Sequence, residues 1–464
     1  ADDNLTLSQD GSDNIILDGA TIETHILDLT GMTHLNIDLG EGTDTLTFSG
    51  TIHLGGVNLN ISAESILADA TVDVTTTADI TLTASAGDDG NIGGFSDVDL
   101  GLDFLDDVVL ADSSALIDLS GATFEAANMT LKAESILDLD TSSGGFPIGD
   151  LSLAVIYAQS NAEVLLDGTT IATDGNLDID AVSNVKTKAV LAADASSDES
   201  TYDAAVAVSV IESSATALVS GASELTVSGA LTLSAANRTT ALTTADGSTT
   251  GTAGAALAFT YIEGLTQAGI ADSASVDDAL DADEADSVKV EATAGHTATT
   301  TTVSTPGGAE EDTSGDTRTE EQLSRNNTET SDGSVNVAAA LAITDMVVDT
   351  QAYITSSGPV VSNGDIDIEA ATAVRGSALA DGTATGGDDS VGVGVAVALN
   401  LANIDNNAFI GGPADLTAGT VNVDANLGGR AWAVDPSGDA VDLDNDFIDL
   451  GAGHGFKTGD ALNY

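Results

Sequence analysis

Leu177-Asp178-Ile179-Asp180-Ala181 sets two branched residues around one acid, adds a second acid and closes on alanine. The phrase returns seven more times. The copies are Leu59-Asn60-Ile61-Ser62-Ala63, Ile80-Thr81-Leu82-Thr83-Ala84, Met129-Thr130-Leu131-Lys132-Ala133, Leu231-Thr232-Leu233-Ser234-Ala235, Val288-Lys289-Val290-Glu291-Ala292, Ile366-Asp367-Ile368-Glu369-Ala370 and Val421-Asn422-Val423-Asp424-Ala425. A period of two puts the apolar side chains on one face and the polar ones on the other, the pattern of a half-buried strand. Two copies run on into one word, Glu64-Ser65-Ile66-Leu67 and Glu134-Ser135-Ile136-Leu137.

From residue 151 the phrase closes a larger unit that opens with a strand of small residues. The openings are Leu153-Ala154-Val155, Val206-Ala207-Val208, Leu257-Ala258-Phe259, Leu341-Ala342-Ile343 and Val397-Ala398-Leu399, spaced by 53, 51, 84 and 56 residues. A second strand follows, around Ala162-Glu163-Val164 in the first unit and Ala408-Phe409-Ile410 in the last, then a Gly or Ser turn, then the phrase. The long spacing has a local cause. Thr293 to Gly333 carries TTTT, Pro306-Gly307-Gly308 and Glu310-Glu311-Asp312, and reads as a polar loop or small arm inserted into one coil. The chain thus divides into N-terminal coils with Asp/Gly turns (1–150), five repeats of about 50 residues with an insertion at 293–333 (151–434), and an incomplete acidic β module (435–464).

A strand triplet with one apolar face cannot bury that face alone, and stacking the next copy on it both covers the face and pairs the backbone edges. The expected fold is all-β: a parallel β-helix-like solenoid of imperfect repeats, elongated as a rod. With on the order of 20 to 30 residues per coil, the chain holds roughly 15 to 23 coils along roughly 70 to 110 Å. In such columns, replacing Ile368 or Val423 with Asp is expected to break a core row. Gly, Asn, Asp and Ser gather between strands, as at Gly87-Asp88-Asp89-Gly90 and Asn363-Gly364, and the chain has only 5 Pro.

Composition narrows the function. The 464 residues hold 75 Asp+Glu against 10 Lys+Arg, a net charge of −65, with no Cys. Disulfide scaffolds, thiolate zinc sites and cysteine nucleophiles are excluded, and a nucleic-acid reader lacks its basic surface. A hydrophobic content of 42% argues against plain disorder. The longest apolar runs, such as Val391 to Leu399, are far short of the roughly 20 residues of a spanning helix. No basic start and apolar core mark a signal peptide in Ala1 to Thr30. The abrupt start at Ala1-Asp2-Asp3 and the stop at Asn463-Tyr464 suggest a processed product or a segment of something longer.

In Ala204 to Ile211, Gly254 to Phe259 and Val391 to Leu401 both faces are apolar, the second lined by Ala and Gly. Something covers that face: a sheet or loop of the same chain, or another protomer whose flat sheet meets it closely.

The pattern VAVALNLANIDNNAFI at Val395 to Ile410, with Val421-Asn422-Val423-Asp424-Ala425 after it, resembles the repetitive stalks of giant bacterial surface proteins, the filamentous-haemagglutinin-like adhesins. Ile448 to Tyr464 is similar to a short module that punctuates such proteins. The resemblance implies extracellular or cell-surface display and adhesion or matrix building. It carries over no catalytic residue.

Calcium is the candidate cofactor. Gly40-Glu41-Gly42-Thr43-Asp44-Thr45-Leu46 matches most of a Gly/Asp nonapeptide that binds Ca²⁺ in β-rolls, with a looser echo at Asp10-Gly11-Ser12-Asp13. Both also read as ordinary acidic corners. Asp442-Leu443-Asp444-Asn445-Asp446 begins like an EF-hand loop, but Phe447 replaces its turn glycine. The candidate metal ligands are therefore Asp10, Asp13, Asp44, Asp442, Asp444 and Asp446. Catalysis finds no constellation: the five His, at 25, 34, 53, 296 and 454, show no HExxH or triad setting, and Lys186 and Lys188 form the only close basic pair. The expected function is structural and non-catalytic, an adhesin stalk or fibre subunit that associates with itself or with neighbouring repeats of a longer chain. The alternatives are a calcium-dependent module binding a carbohydrate or cell-surface ligand, and a β-helix polysaccharide-degrading enzyme.

Overall fold

The computed structural model describes residues 3–19, 23–40, 42–87, 91–92, 108–141, 146–148, 151–191, 202–248, 253–276, 285–304, 335–384 and 391–428, with the pairs 441–442 and 447–448. Residues Ala1–Asn426 form one unit and Leu427–Tyr464 another. The described residues contain strands and no helix.

Three mainly parallel sheets make the first unit, and each complete coil visits them in the same order. A front strand is followed by a short base strand and then by a back strand that carries the repeated phrase. In one coil these are Leu151–Asp167, Thr170–Thr173 and Leu177–Leu191. The base sheet has eight strands, one for each complete coil. Stacking at about 4.8 Å per level gives an axis of about 40 Å. This is fewer coils and a shorter axis than the sequence led us to expect, because each later coil consumes about 50 residues: Leu153 pairs with Val206, and Val206 with Leu257.

The spacings read from the sequence are the register itself. Leu257 pairs with Leu341 and Leu341 with Val397, so offsets of 53, 51, 84 and 56 are the residue shifts between levels. The phrases stack likewise: Leu59 on Ile80, Ile80 on Met129, Met129 on Leu177, Leu177 on Leu231, Leu231 on Val288 and Val288 on Ile366. What read as two strands per unit is one front strand of 17 to 20 residues. The true middle strand lies in what read as a turn. Stretches such as Ser275–Val276 are too short to show a period. Nor does the insertion begin at 293, since Ser287–Val303 is a regular back strand with Thr300 and Thr302 buried; residues 305–334 lie outside the described residues.

Early coils are plain triangles with front strands such as Ser65–Leu67. From Val108 onward the front strand starts earlier and the back strand runs on later, so the two extensions pack face to face as a two-sheet wing. The triangle encloses one core, from Leu7 to Ala370. Two smaller cores lie in the wing, the first around Ile156, Val185 and Ile211, the second built from Ala154, Ala205, Ala207, Ala256, Ala258, Ala245 and Leu191.

Rows of buried hydroxyls separate these cores. Ser135 Oγ lies 2.8 Å from Ser113 Oγ and 2.7 Å from Ser160 Oγ, which is 2.8 Å from Ser183 Oγ. Farther out, Thr243 donates to Ser209 (2.8 Å) and accepts from Thr260 (2.8 Å), and Thr260, Thr300 and Thr344 continue the row at 2.7 Å steps. Each hydroxyl answers its neighbours only in one register, and a slip by one residue would turn the row to the outside. Buried His296 occupies the space over Gly264, where a Cβ would stand 2.6 Å from the imidazole Cε1.

The last level, Val391–Ile410 with Asp415–Thr417 and Thr420–Leu427, carries no further strand among the described residues. Val423 is therefore 44% exposed while Ile368, in the neighbouring back strand, is 1% exposed. The two do not share the core role that the pattern assigned to both.

Candidate functional site

The acidic candidates do not converge. Asp10 closes the hairpin between Asn4–Gln9 and Ile15–Gly19: its Oδ1 accepts the backbone N–H of Ser12 (2.8 Å) and Asn14 (3.0 Å), and its Oδ2 accepts Asn14 Nδ2 (3.0 Å). Those donors, the Asn14 side chain foremost, hold its carboxyl below the usual range. Asp13 takes the left-handed backbone of the same turn, φ 63°. This is turn-closing work for both residues. Seven residues of extended chain, about 20 Å, separate Asp10 from Asp3, and it is Asp3 whose N–H donates to Asp44 Oδ1 at 2.7 Å.

Asp44 is fully buried where the chain passes from back sheet to front sheet. Because Asn4 pairs with Thr45 and Thr45 with Ser65, the residues Asp3, Asp44 and Glu64 occupy successive levels at this corner. The Asp44 N–H donates to Glu64 Oε2 at 2.5 Å, and Asp44 Oδ2 is buried with no hydrogen-bond partner. Asp3 and Glu64 gave no signal in the sequence, since only the register brings them beside Asp44. Among the described residues no three His, Cys, Asp or Glu side chains gather as a metal group. Asp442 ends the two-residue strand Val441–Asp442, which pairs antiparallel with Phe447–Ile448; Asp444 and Asp446 lie outside the described residues.

The wing presents the larger feature. Its inner face is made of Ala205, Ala207, Ala256, Ala258, Ala338 and Ala340, all buried against the back sheet of the same chain. The branched residues point the other way. Leu153, Val206, Leu257, Leu341 and Val397 form one outward column, and Val155, Val208, Phe259, Ile343 and Leu399 the next. Toward the wing tip runs the column Leu151, Ala204, Ala255, Ala339 and Val395, small at its three middle levels. Between ridge and small column lies a trough of about 310 Å³, lined only by Ala, Val and Leu. Val395 is 53% and Val397 50% exposed. The alanine face, which the sequence marked as needing a cover, is covered by the back sheet of the same chain, one of the two covers expected for it; it is the Val and Leu face that close approach of the wing sheets leaves outside.

The patch ends at a polar belt. Gln159, Glu212 and Glu263 stand in one outward column, with Asp349 and Asp405 beyond. At the border the Tyr261 hydroxyl donates to Glu263 Oε2 (2.9 Å), and that bond, then burial, raises the phenol pKa. Among the described residues the cations are elsewhere: Lys132, Lys186, Lys188, Arg238, Lys289 and Arg375 all lie on back strands. Lys186 and Lys188 pair with Asp138 (2.9 Å) and Asp140 (3.0 Å) of the preceding level.

These features define a class: a parallel β-solenoid repeat protein whose distinctive surface is a flat apolar sheet. Comparison with protein-family models, curated proteins and solved structures yields no match.

Proposed function

We propose that the chain is a structural, non-catalytic scaffold, a stalk or fibre segment displayed outside the cell or on its surface, in the manner of the adhesin stalks that it resembles. The observation that carries this reading is the uninterrupted register of the back sheet, in which six successive phrase pairs stack residue on residue. Such a stack spends the sequence on repetition. Its trough offers no acid, base or nucleophile. Away from the apolar face the acidic surface repels other acidic surfaces, most strongly at low salt, and dissolved cations act on it as counter-ions.

The test removes one level. Ala204 pairs with Ala255, so deleting residues 204–254 joins the flanking coils in register. The expected product keeps its β circular dichroism and a cooperative melt, and loses about 4.8 Å of axis by small-angle scattering. Collapse to an unfolded chain would refute a modular scaffold.

One observation favours a second reading, a calcium-dependent surface- or carbohydrate-binding module: the unpartnered Asp44 Oδ2 beside Glu64. That reading requires a calcium-induced rise in melting temperature that magnesium at equal ionic strength does not give and that Asp44→Asn abolishes.

A further inference from the structure

We propose that two copies of this chain pair through the outer face of the wing, front sheet against front sheet, about a two-fold axis parallel to the stack. The inference rests on the scaffold reading and gives it a partner: a second copy of the chain.

Five front strands at about 4.8 Å and about eight residues at 3.3 Å each make a flat surface of about 600 Å². That is the upper end of what a monomer leaves exposed and about three quarters of the ~800 Å² per partner in a standard interface. The relief is self-complementary. A two-fold axis midway between the Leu257 column and the Ala255 column sets the ridge of each copy, at the levels of Val206, Leu257 and Leu341, over the alanines of the other. It also places Ile343 and Leu399 of one copy opposite Val337 and Val393 of the other, apolar on apolar.

Charge selects the same arrangement. The axis sends the two triangular bodies in opposite directions, so the Glu212–Glu263 belts lie at opposite rims, several Debye lengths apart. Front-to-back packing would instead bury this face on the back sheet, where Lys186, Lys188 and Arg238 stand. Those ions would lose their water, and the apolar face would meet charged groups in place of an apolar partner.

Sedimentation velocity on the full chain over a wide dilution series tests the pairing. The wild type is expected to be a dimer that dissociates on dilution. Leu257→Glu with Leu341→Glu, at two half-exposed outward positions, is expected to weaken pairing by about 100-fold or more while circular dichroism and melting of the monomer stay unchanged. Thr240→Glu, an exposed back-face control, is expected to leave the dimer intact. A wild type monomeric throughout would overturn the proposal. So would open-ended oligomers, a dimer indifferent to the double substitution, or a monomer whose patch fails to bind an anilinonaphthalene dye because a segment of the same chain covers it. None of these results touches the coil deletion, which reads the stack and not its face.

Discussion

Ile368→Asp and Val423→Asp make the same chemical change at equivalent places of two successive phrases, and the structure assigns them very different costs. Ile368 is 1% exposed and stacks on Val290 in the triangular core. Truncating a buried branched side chain costs about 2–5 kcal/mol. A carboxyl group with no partner in that space adds about 2–3 kcal/mol even when it takes up a proton. The sum, about 4–8 kcal/mol, is comparable to the whole stability of an ordinary domain. Val423 is 44% exposed on the open last level, where a polar replacement keeps its water and costs about 1 kcal/mol or less. Urea denaturation followed by circular dichroism compares the two midpoints, and limited proteolysis locates the opened coil. Equal losses, or a larger loss at Val423, would refute the register and the reading of the last level as uncovered.

Gly168→Ala introduces a side chain into open space at φ 64°, so its cost, about 1 kcal/mol, measures backbone strain alone. Thr300→Val removes the hydroxyl between Thr260 and Thr344, and a loss of about 1–2 kcal/mol is expected by thermal melting. Burial pushes His296 down to about 4, so it is neutral in the fold and protonates near 6.5 when unfolded. Its contribution is complete above pH 6.5 and falls away as pH drops through 4. His296→Leu is therefore expected to reduce the loss of stability between pH 7 and pH 4 by about 3 kcal/mol, and an unchanged pH profile would count against the burial.

The stacking was legible because it depends on identity repeating at a distance: Leu177, Leu231 and Val288 announce their pairing by sitting in the same phrase. The number of residues per coil was harder, because a front strand such as Tyr202–Ser220 changes partners along its length without a break in its alternation. Its first half faces the wing and its second half the triangle, and both need the same period of two. The inside and outside of the wing could not be read locally either. Ala207 and Val208 are both apolar, and which one is buried depends on how closely the back sheet approaches. At the acidic corner Asp44 carried a motif, while Asp3 and Glu64 became its neighbours only through pairing three levels deep.

The two ends of the stack differ in a way that constrains how copies can associate. At the N-terminal end the front sheet starts from Asn4–Gln9, whose free edge is covered by the antiparallel strands Ile15–Gly19 and His25–Leu27. Nearby front strands such as Thr45–Phe48 have 4 residues. At the other end Val391–Ile410, 20 residues long, carries no further strand among the described residues. Joining one copy's last level to another's first would set that long edge against a hairpin and leave most of its N–H and C=O groups without partners. The hydroxyl rows of the wing would also meet a level that has no wing. Sideways pairing faces neither mismatch, because the outer columns of the wing present side chains whose backbone is already bonded to the levels above and below. The geometry thus separates two features: the backbone edges build the stack, and the Val and Leu turned outward by the alanine-lined wing form the face that the proposed pairing uses.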